Sequence, residues 1–274
     1  MTHRHSQTLR VLRDHARTAA RTALLTLSPG ARIAFDHRAW RRGAGEEAAL
    51  ITLLAPTERE AVDVGANAGA VSWLLAKRCR GVWTFEPLPE FQYLAHGLPE
   101  NCHCYNVALG SAPGRAELRV PSYRGKILGQ LATMSPGNDL SDLPFRTLAV
   151  PVSTIDAELA RQDVGFIKID VEGHEIEVLR GAETTLARCH PRLVIESEDR
   201  HAHEGVRRLL RWLGERDYTG FFLWRGTLLP AFQFCTTTHQ QRANVGVGGV
   251  RGPYANTFAF IHSSELSKST DLLR

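Results

Sequence analysis

The chain is expected to fold as one α/β domain, a mostly parallel sheet with helices on both faces, and three observations point there. Short apolar runs suited to buried strands alternate with longer helical segments from residue 61 to residue 213. The run Asp63-Val64-Gly65-Ala66-Asn67-Ala68-Gly69 joins the first of these strands to a helix through a glycine turn. Four acids, Asp63, Glu86, Asp170 and Glu196, fall at or beside the ends of separate strands. In an open α/β sheet such ends share one rim, and ligands bind there.

Ahead of this core, residues 1–50 read as an arginine-rich extension. A helix is expected over residues 7–27, with Leu9, Leu12, Ala16, Ala19, Ala20, Ala23 and Leu27 on one side. Arg10, Arg13, Arg17 and Arg21 lie toward the other. Such a helix packs on the core or on a second subunit, which would make the protein a homo-oligomer. A membrane-surface helix or a transit peptide is the sharper alternative, weakened by Asp14 and the alanine-rich face. Ser28-Pro29-Gly30 is expected to end the helix, and a polar connection leads to the core.

The core, residues 51–263, then runs in order. Residues 61–65 suit a strand, 69–79 a helix and 81–85 a second strand. A helix over 89–98 and a strand over 102–107 follow. Residues 115–120 and 147–152 read as strands around a polar excursion, 121–146, whose length marks it as a functional loop. After a short helix at 154–160, the strand Gly165-Phe166-Ile167-Lys168-Ile169 ends in Asp170. Helices over 175–187 and 206–213 flank a strand at 193–195 that ends at Glu196. Residues 218–224 and 256–262 complete the sheet, with a second Gly-, Gln- and Thr-rich loop at 236–252 and a frayed tail at 264–274.

Composition narrows the function classes. The formal charge is only +4, but nine arginines between Arg4 and Arg42 face just Asp14 and Asp36. That segment lacks the aromatic interleaving of a nucleic-acid stacking platform, and the near-neutral remainder argues against a nucleic-acid groove. No apolar run approaches the ~20 residues that span a bilayer. The N-terminus has no continuous apolar run like that of a secretory leader. Cys79, Cys102, Cys104, Cys189 and Cys235 are odd in number, scattered, and without zinc-ligand spacing. They suit buried or free thiols in a reducing cytoplasm.

The glycine turn locates a ligand. Gly65 permits a positive φ, and Gly69 lets the next helix pack closely. Glu86 in Phe85-Glu86-Pro87 lies about 20 residues on, where a carboxylate accepts hydrogen bonds from ribose hydroxyls. The turn is GxxxG, so the middle glycine that admits a pyrophosphate is missing, which disfavours a nicotinamide-dependent oxidoreductase. The richest constellation is Lys168-Ile169-Asp170-Val171-Glu172-Gly173-His174-Glu175. Lys168, mid-strand in an apolar run, needs a carboxylate partner, and Asp170 on the same face is the nearest. His174, Glu172 and Glu175 also suit plain first-turn or capping positions. Asp170, Glu172, His174 and Glu196 together allow a divalent cation as a minority reading, with undiagnostic spacing.

These residues carry a resemblance. Residues 63–69 (DVGANAG), Phe85-Glu86-Pro87, Asn106-Val107-Ala108-Leu109-Gly110 and residues 167–175 (IKIDVEGHE) occur in the order found in FkbM-type methyltransferases. Leu179-Arg180-Gly181-Ala182 and Pro191-Arg192-Leu193-Val194-Ile195-Glu196 continue it, so that it spans about residues 60–200. The resemblance implies a Rossmann-like, S-adenosylmethionine-dependent enzyme with a seven-stranded sheet ending in an antiparallel strand. It implies that Asp63, Gly65, Ala66, Asn67 and Gly69 surround the methionine part of the cofactor and that Glu86, beside Pro87, holds the ribose. Asn106, Ala108 and Leu109 would lie by the adenine and Asp170 by the sulfonium. Asp170 is the expected base, with His174 or Glu172 second and Lys168 positioning it. O-methylation of a small-molecule, sugar or secondary-metabolite hydroxyl is the leading expectation, and N-methylation of an amine its rival. A non-catalytic scaffold is disfavoured by the intact acids. Acceptor choice is expected to reside in residues 121–146 and 227–253, with Gln130-Leu131-Ala132-Thr133-Met134-Ser135 able to close over the site.

Overall fold

A computed structural model describes residues 28–123, 125–138, 143–246, 249–250 and 252–269. The helix expected over residues 7–27 lies outside them, as do residues 270–274.

Ser28-Pro29 begins a helix where an end was expected. The Ser28 hydroxyl accepts a hydrogen bond from the Ala31 N–H at 3.0 Å, and Pro29 takes the first helical position, where it has no donor to lose. The helix α1 (Pro29–Gly43) runs into α2 (Gly45–Leu54), so the expected polar connection is helical. Leu50, Ile51 and Leu54 of α2 are buried.

The central sheet uses β1 (Glu60–Val64), β2 (Val82–Phe85), β3 (Cys102–Tyr105), β8 (Val164–Ile169), β9 (Arg192–Glu196), β10 (Tyr218–Trp224), β11 (Thr227–Pro230) and β14 (Thr257–His262). Their order is β11-β10-β14-β9-β8-β1-β2-β3. Five neighbours from β9 to β3 are parallel, and β14 inserts antiparallel between β9 and β10. The sheet has eight strands rather than seven because residues 227–230 return from a tight turn and pair with β10.

A smaller sheet stands beside it, made of β4 (Ala108–Leu109), β5 (Gly114–Tyr123), β6 (Lys126–Ile127) and β7 (Phe145–Ser153), and β12 (Val245–Gly246) pairs with β13 (Gly249–Val250) in a two-stranded ribbon. β5 and β7 pair antiparallel from Gly114↔Val152 to Pro121↔Phe145, so the two strands expected at 115–120 and 147–152 form a long hairpin and the polar excursion is mainly the connection between them.

Alternation along the strands divides the core. Val62, Val64, Ile167, Ile169, Leu193 and Ile195 face one layer, built by α6 (Glu175–Arg180), α7 (Glu183–Cys189) and α8 (Gly205–Gly214). Ala61, Phe166, Val194, Ala259 and Ile261 face the other, with α2 and α3 (Ala70–Ala76). The single helix expected over 175–187 is broken at Gly181-Ala182. A Cβ on Gly181 would lie 2.0 Å from the Gly110 carbonyl oxygen, and Asp156 accepts the Thr184 and Thr185 N–H groups that start α7. Residues 89–98 form a 3₁₀ turn and the short α4 (Leu94–Gly97), the helix expected at 154–160 is the single turn α5 (Ile155–Glu158), and residues 263–269 are helical rather than frayed.

Candidate active site

A cleft opens at the carboxyl ends of β1, β2 and β8, roofed by the hairpin loop. Of the residues singled out above, Gly65, Asn67, Glu86, Pro87, Ala108, Leu109, Asp170 and Glu172 line it. Phe85, Val107, Leu118 and Met134 add apolar wall, and Gly129, Gln130 and Ala132 belong to the roof. The loop expected to close over the site does lie against it.

Glu86 is held rigidly. One carboxylate oxygen accepts the Asn67 N–H at 2.7 Å and the other the Leu88 N–H at 2.9 Å. Each oxygen keeps an acceptor site for another donor. Burial pushes this carboxyl up to about 7 even against those two bonds. Asn106 does not line the cleft; its amide donates to the Glu86 carbonyl oxygen at 2.8 Å.

Asp63, Ala66 and Gly69 also sit behind the cleft rather than in its wall. Asp63 accepts a hydrogen bond from the Ser72 hydroxyl at 2.6 Å, tying β1 to α3. Burial lifts its carboxyl to about 6. Gly69 has φ +78°, and a Cβ there would meet Leu94 Cδ2 at 2.7 Å, so this glycine serves packing.

The strand β8 brings its acid through. Period two puts Phe166, Lys168 and Asp170 on the face covered by α2. The Lys168 ammonium, 2% exposed, lies 3.9 Å from Asp170 Oδ2, as the sequence predicts, and nearer, at 3.3 Å, to Glu47 Oε1 of α2. Burial opposes the charge on Lys168, but the acids around it, Asp170 and Glu47 first, outweigh burial and raise its pKa. Asp170, with 38% of its side chain exposed to the cleft, is raised by desolvation and pulled back by Lys168. Glu196 next door is raised well above the ordinary range by burial and by Asp170.

Beyond Asp170 the chain turns through Glu172, a non-glycine at φ +54°. Its carbonyl accepts from Thr133 Oγ1 at 2.7 Å and Asn138 Nδ2 at 2.9 Å, which fastens the roof to the end of β8. Its carboxylate pairs with His201 Nε2 at 2.9 Å. His174 is not in the cleft wall: its Nε2 lies beside Gly110, and burial lowers its pKa. Glu175 folds back onto the Gly173 N–H at 2.7 Å, with its carboxyl raised by burial to about 7. The four residues of the cation reading are therefore not gathered: Glu172 turns to His201, Glu196 to Asn256, and His174 away. Among the described residues no group of three or more His, Cys, Asp or Glu side chains is arranged to hold a metal ion.

Glu47 and His201 are functional-site neighbours that the motifs do not reveal. An ammonium in an apolar strand requires compensating acid, but Asp170 already meets that requirement in the sequence, so nothing there calls for a second acid from Glu47. Nor does any signal mark His201 within Glu198-Asp199-Arg200-His201.

No curated protein matches the chain. Among solved structures, methyltransferase FkbM from Methylobacillus flagellatus is 15% identical, with a TM-score of 0.46 over 75% of this chain and 44% of its own. This chain thus spans less than half of that structure. An rRNA methylase from Streptococcus thermophilus is 13% identical, with a TM-score of 0.41 over 79% of this chain and 95% of its own. A TehB-like SAM-dependent methyltransferase from Corynebacterium glutamicum is 16% identical, with a TM-score of 0.40 over 85% and 98%. The family model described as the methyltransferase FkbM domain matches residues 63–219, more than half of the sequence, and the chain belongs to that family.

Proposed function

We propose that this chain is an S-adenosylmethionine-dependent methyltransferase that methylates a hydroxyl of a small molecule, sugar or secondary metabolite. The observation that carries the reading is the joint presence in one cleft wall of Glu86, with acceptor sites to spare, and Asp170, open to solvent.

The residues present fit the cofactor. Glu86 can take the two ribose hydroxyls, and Phe85, Val107, Leu109 and Met134 offer an apolar slot for a purine. The Gly65 turn presents main chain without a Cβ, and Asn67 lies beside it. Asp63, Ala66 and Gly69 hold this turn from behind. Asp170 and Glu172 put negative charge where a cationic sulfur would lie. Bound there, the cofactor supplies a methyl group on a sulfonium, an electrophile with a good leaving group.

The chain's part is alignment and proton removal. Orientation within a closed cleft supplies much of the rate in a displacement of this kind. With the cofactor held there, an acceptor oxygen would bond to its methyl carbon as the carbon–sulfur bond breaks, with the electron pair of that bond left on sulfur. The hydroxyl proton passes to Asp170 Oδ, whose raised pKa brings it closer to working pH. Lys168 holds Asp170 from below, and Gly129, Gln130, Ala132 and Met134 of the roof border the cleft above it. Glu172, paired with His201, stands as the second candidate base; His174 has no access to the cleft.

N-methylation of an amino sugar or other amine is the second reading, favoured by the acids at the rim, which can hold an ammonium and take its proton. Incubation with methyl-labelled cofactor and matched hydroxyl and amine acceptors separates the two. Label on oxygen supports the lead, and label only on nitrogen replaces it. Binding of NAD without response to S-adenosylmethionine would remove both.

A further inference from the structure

Glu47 stands before the family-matched region, on the first turn of α2, yet its carboxylate reaches the buried ammonium beneath the cleft. Two contacts put it there. The Gly226 N–H donates to Glu46 Oε2 at 3.0 Å, pinning the start of α2 to the turn between β10 and β11. Behind it, Leu50, Ile51 and Leu54 are buried in the same core layer as Phe166 of β8. The helix is thus held at both ends over the face that carries Lys168 and Asp170.

Resting on the methyl-transfer reading above, we propose that Glu47 is a positioning residue of the site: it shares the Lys168 ammonium with Asp170 and so limits how tightly that ammonium holds the base. The ammonium is 3.3 Å from Glu47 Oε1 and 3.9 Å from Asp170 Oδ2, so the nearer claim belongs to Glu47. An ammonium fully committed to Asp170 would make a poor base of it, because an opposite charge at close range favours the ionised form. Glu47 acts against that in two ways, by drawing Lys168 aside and by adding a like charge.

Other charges face Asp170 as well. Desolvation raises it, Lys168 lowers it, Glu47 raises it, His201 lowers it and Glu198 raises it. Asp63 of β1 and Glu196 of β9 lie within its electrostatic reach. Among the described acids that raise Asp170, only Glu47 also lies within salt-bridge distance of Lys168.

The test is a carboxyl-carbon NMR titration of protein labelled at aspartate, with Asp170 assigned from the resonance lost in Asp170→Asn. In Glu47→Gln the Asp170 midpoint should fall by roughly one pH unit. Glu47→Asp, which keeps the charge but withdraws it by one methylene, should give a smaller fall. A structural role alone would lower the melting temperature and leave the midpoint in place, and an unmoved midpoint in both variants overturns the proposal. Calorimetry with S-adenosylmethionine on the wild type is read separately. If it shows no binding, the methyl-transfer reading fails while the titration still decides the Glu47–Lys168–Asp170 coupling.

Discussion

A Cβ on Gly65 would lie 2.0 Å from the main-chain carbonyl oxygen of Asp170, closer than any nonbonded contact allows. The first glycine of the turn is thus fixed by the strand that carries the proposed base, and the Asp170 N–H donates to the Val64 carbonyl at 3.0 Å alongside. At φ +79° a side chain also costs about 1–2 kcal/mol for the left-handed conformation. Gly65→Ala should therefore lower stability by more than that in urea melts and abolish cofactor binding. Gly43→Ala, with nothing within 4 Å of its Cβ, should stay within about 1 kcal/mol of wild type.

Stability should fall as pH rises between about 4.5 and 7. Burial raises Glu86 from 4.5 to about 7, and Glu175 likewise, so the folded state binds more protons than the unfolded chain across that window. For Glu86 alone the effect is on the order of 3 kcal/mol once pH exceeds 7. His201, raised despite burial by its bond to Glu172, acts with the same sign. Thermal melts without cofactor should give a higher midpoint at pH 5.5 than at pH 7.5. Ribose hydroxyls need the ionised carboxylate, so cofactor affinity should run the other way and strengthen through pH 7.

His201→Ala should cost about 3 kcal/mol, because it leaves the Glu172 carboxylate buried without its partner. Combining it with Glu172→Gln should recover part of that loss. A double-mutant cycle by urea denaturation reads the coupling, and additive losses would show that the pair contributes little.

Thr133 and Asn138 both donate to the Glu172 carbonyl oxygen. Removing both donors should free the roof while leaving the sheet intact. Thr133→Ala with Asn138→Ala should raise amide hydrogen exchange in residues 129–138 and shorten cofactor residence time. Exchange confined to the hairpin tip would place the fastening elsewhere.

Much of this was legible in the chain where chemistry and geometry are local. Gly65, Glu86 and Asp170 follow from a glycine turn and from acids at strand ends, and all three line one cleft. Asp63, Gly69 and Asn106 have the right neighbours but face away from it, since a motif records spacing and not the direction of a side chain. His174 failed as a cleft residue for the same reason. Ser28-Pro29 starts a helix rather than ending one, because a serine before proline serves either purpose and the outcome depends on what comes next. Glu47 and His201 reach the site through tertiary packing, across 121 and 29 residues from Lys168 and Glu172 respectively. The eighth strand depended on a turn at Arg225-Gly226 whose residues, at φ +51° and +78°, are not diagnostic in sequence alone.

The central claim is that Glu86 receives the ribose of S-adenosylmethionine in the cleft. Isothermal titration of S-adenosylmethionine into wild-type protein and Glu86→Gln at pH 8 tests it most directly. Saturable one-to-one binding is expected for the wild type and at least a tenfold loss in the variant, about 1.4 kcal/mol or more. Equal affinity in the two proteins would contradict it.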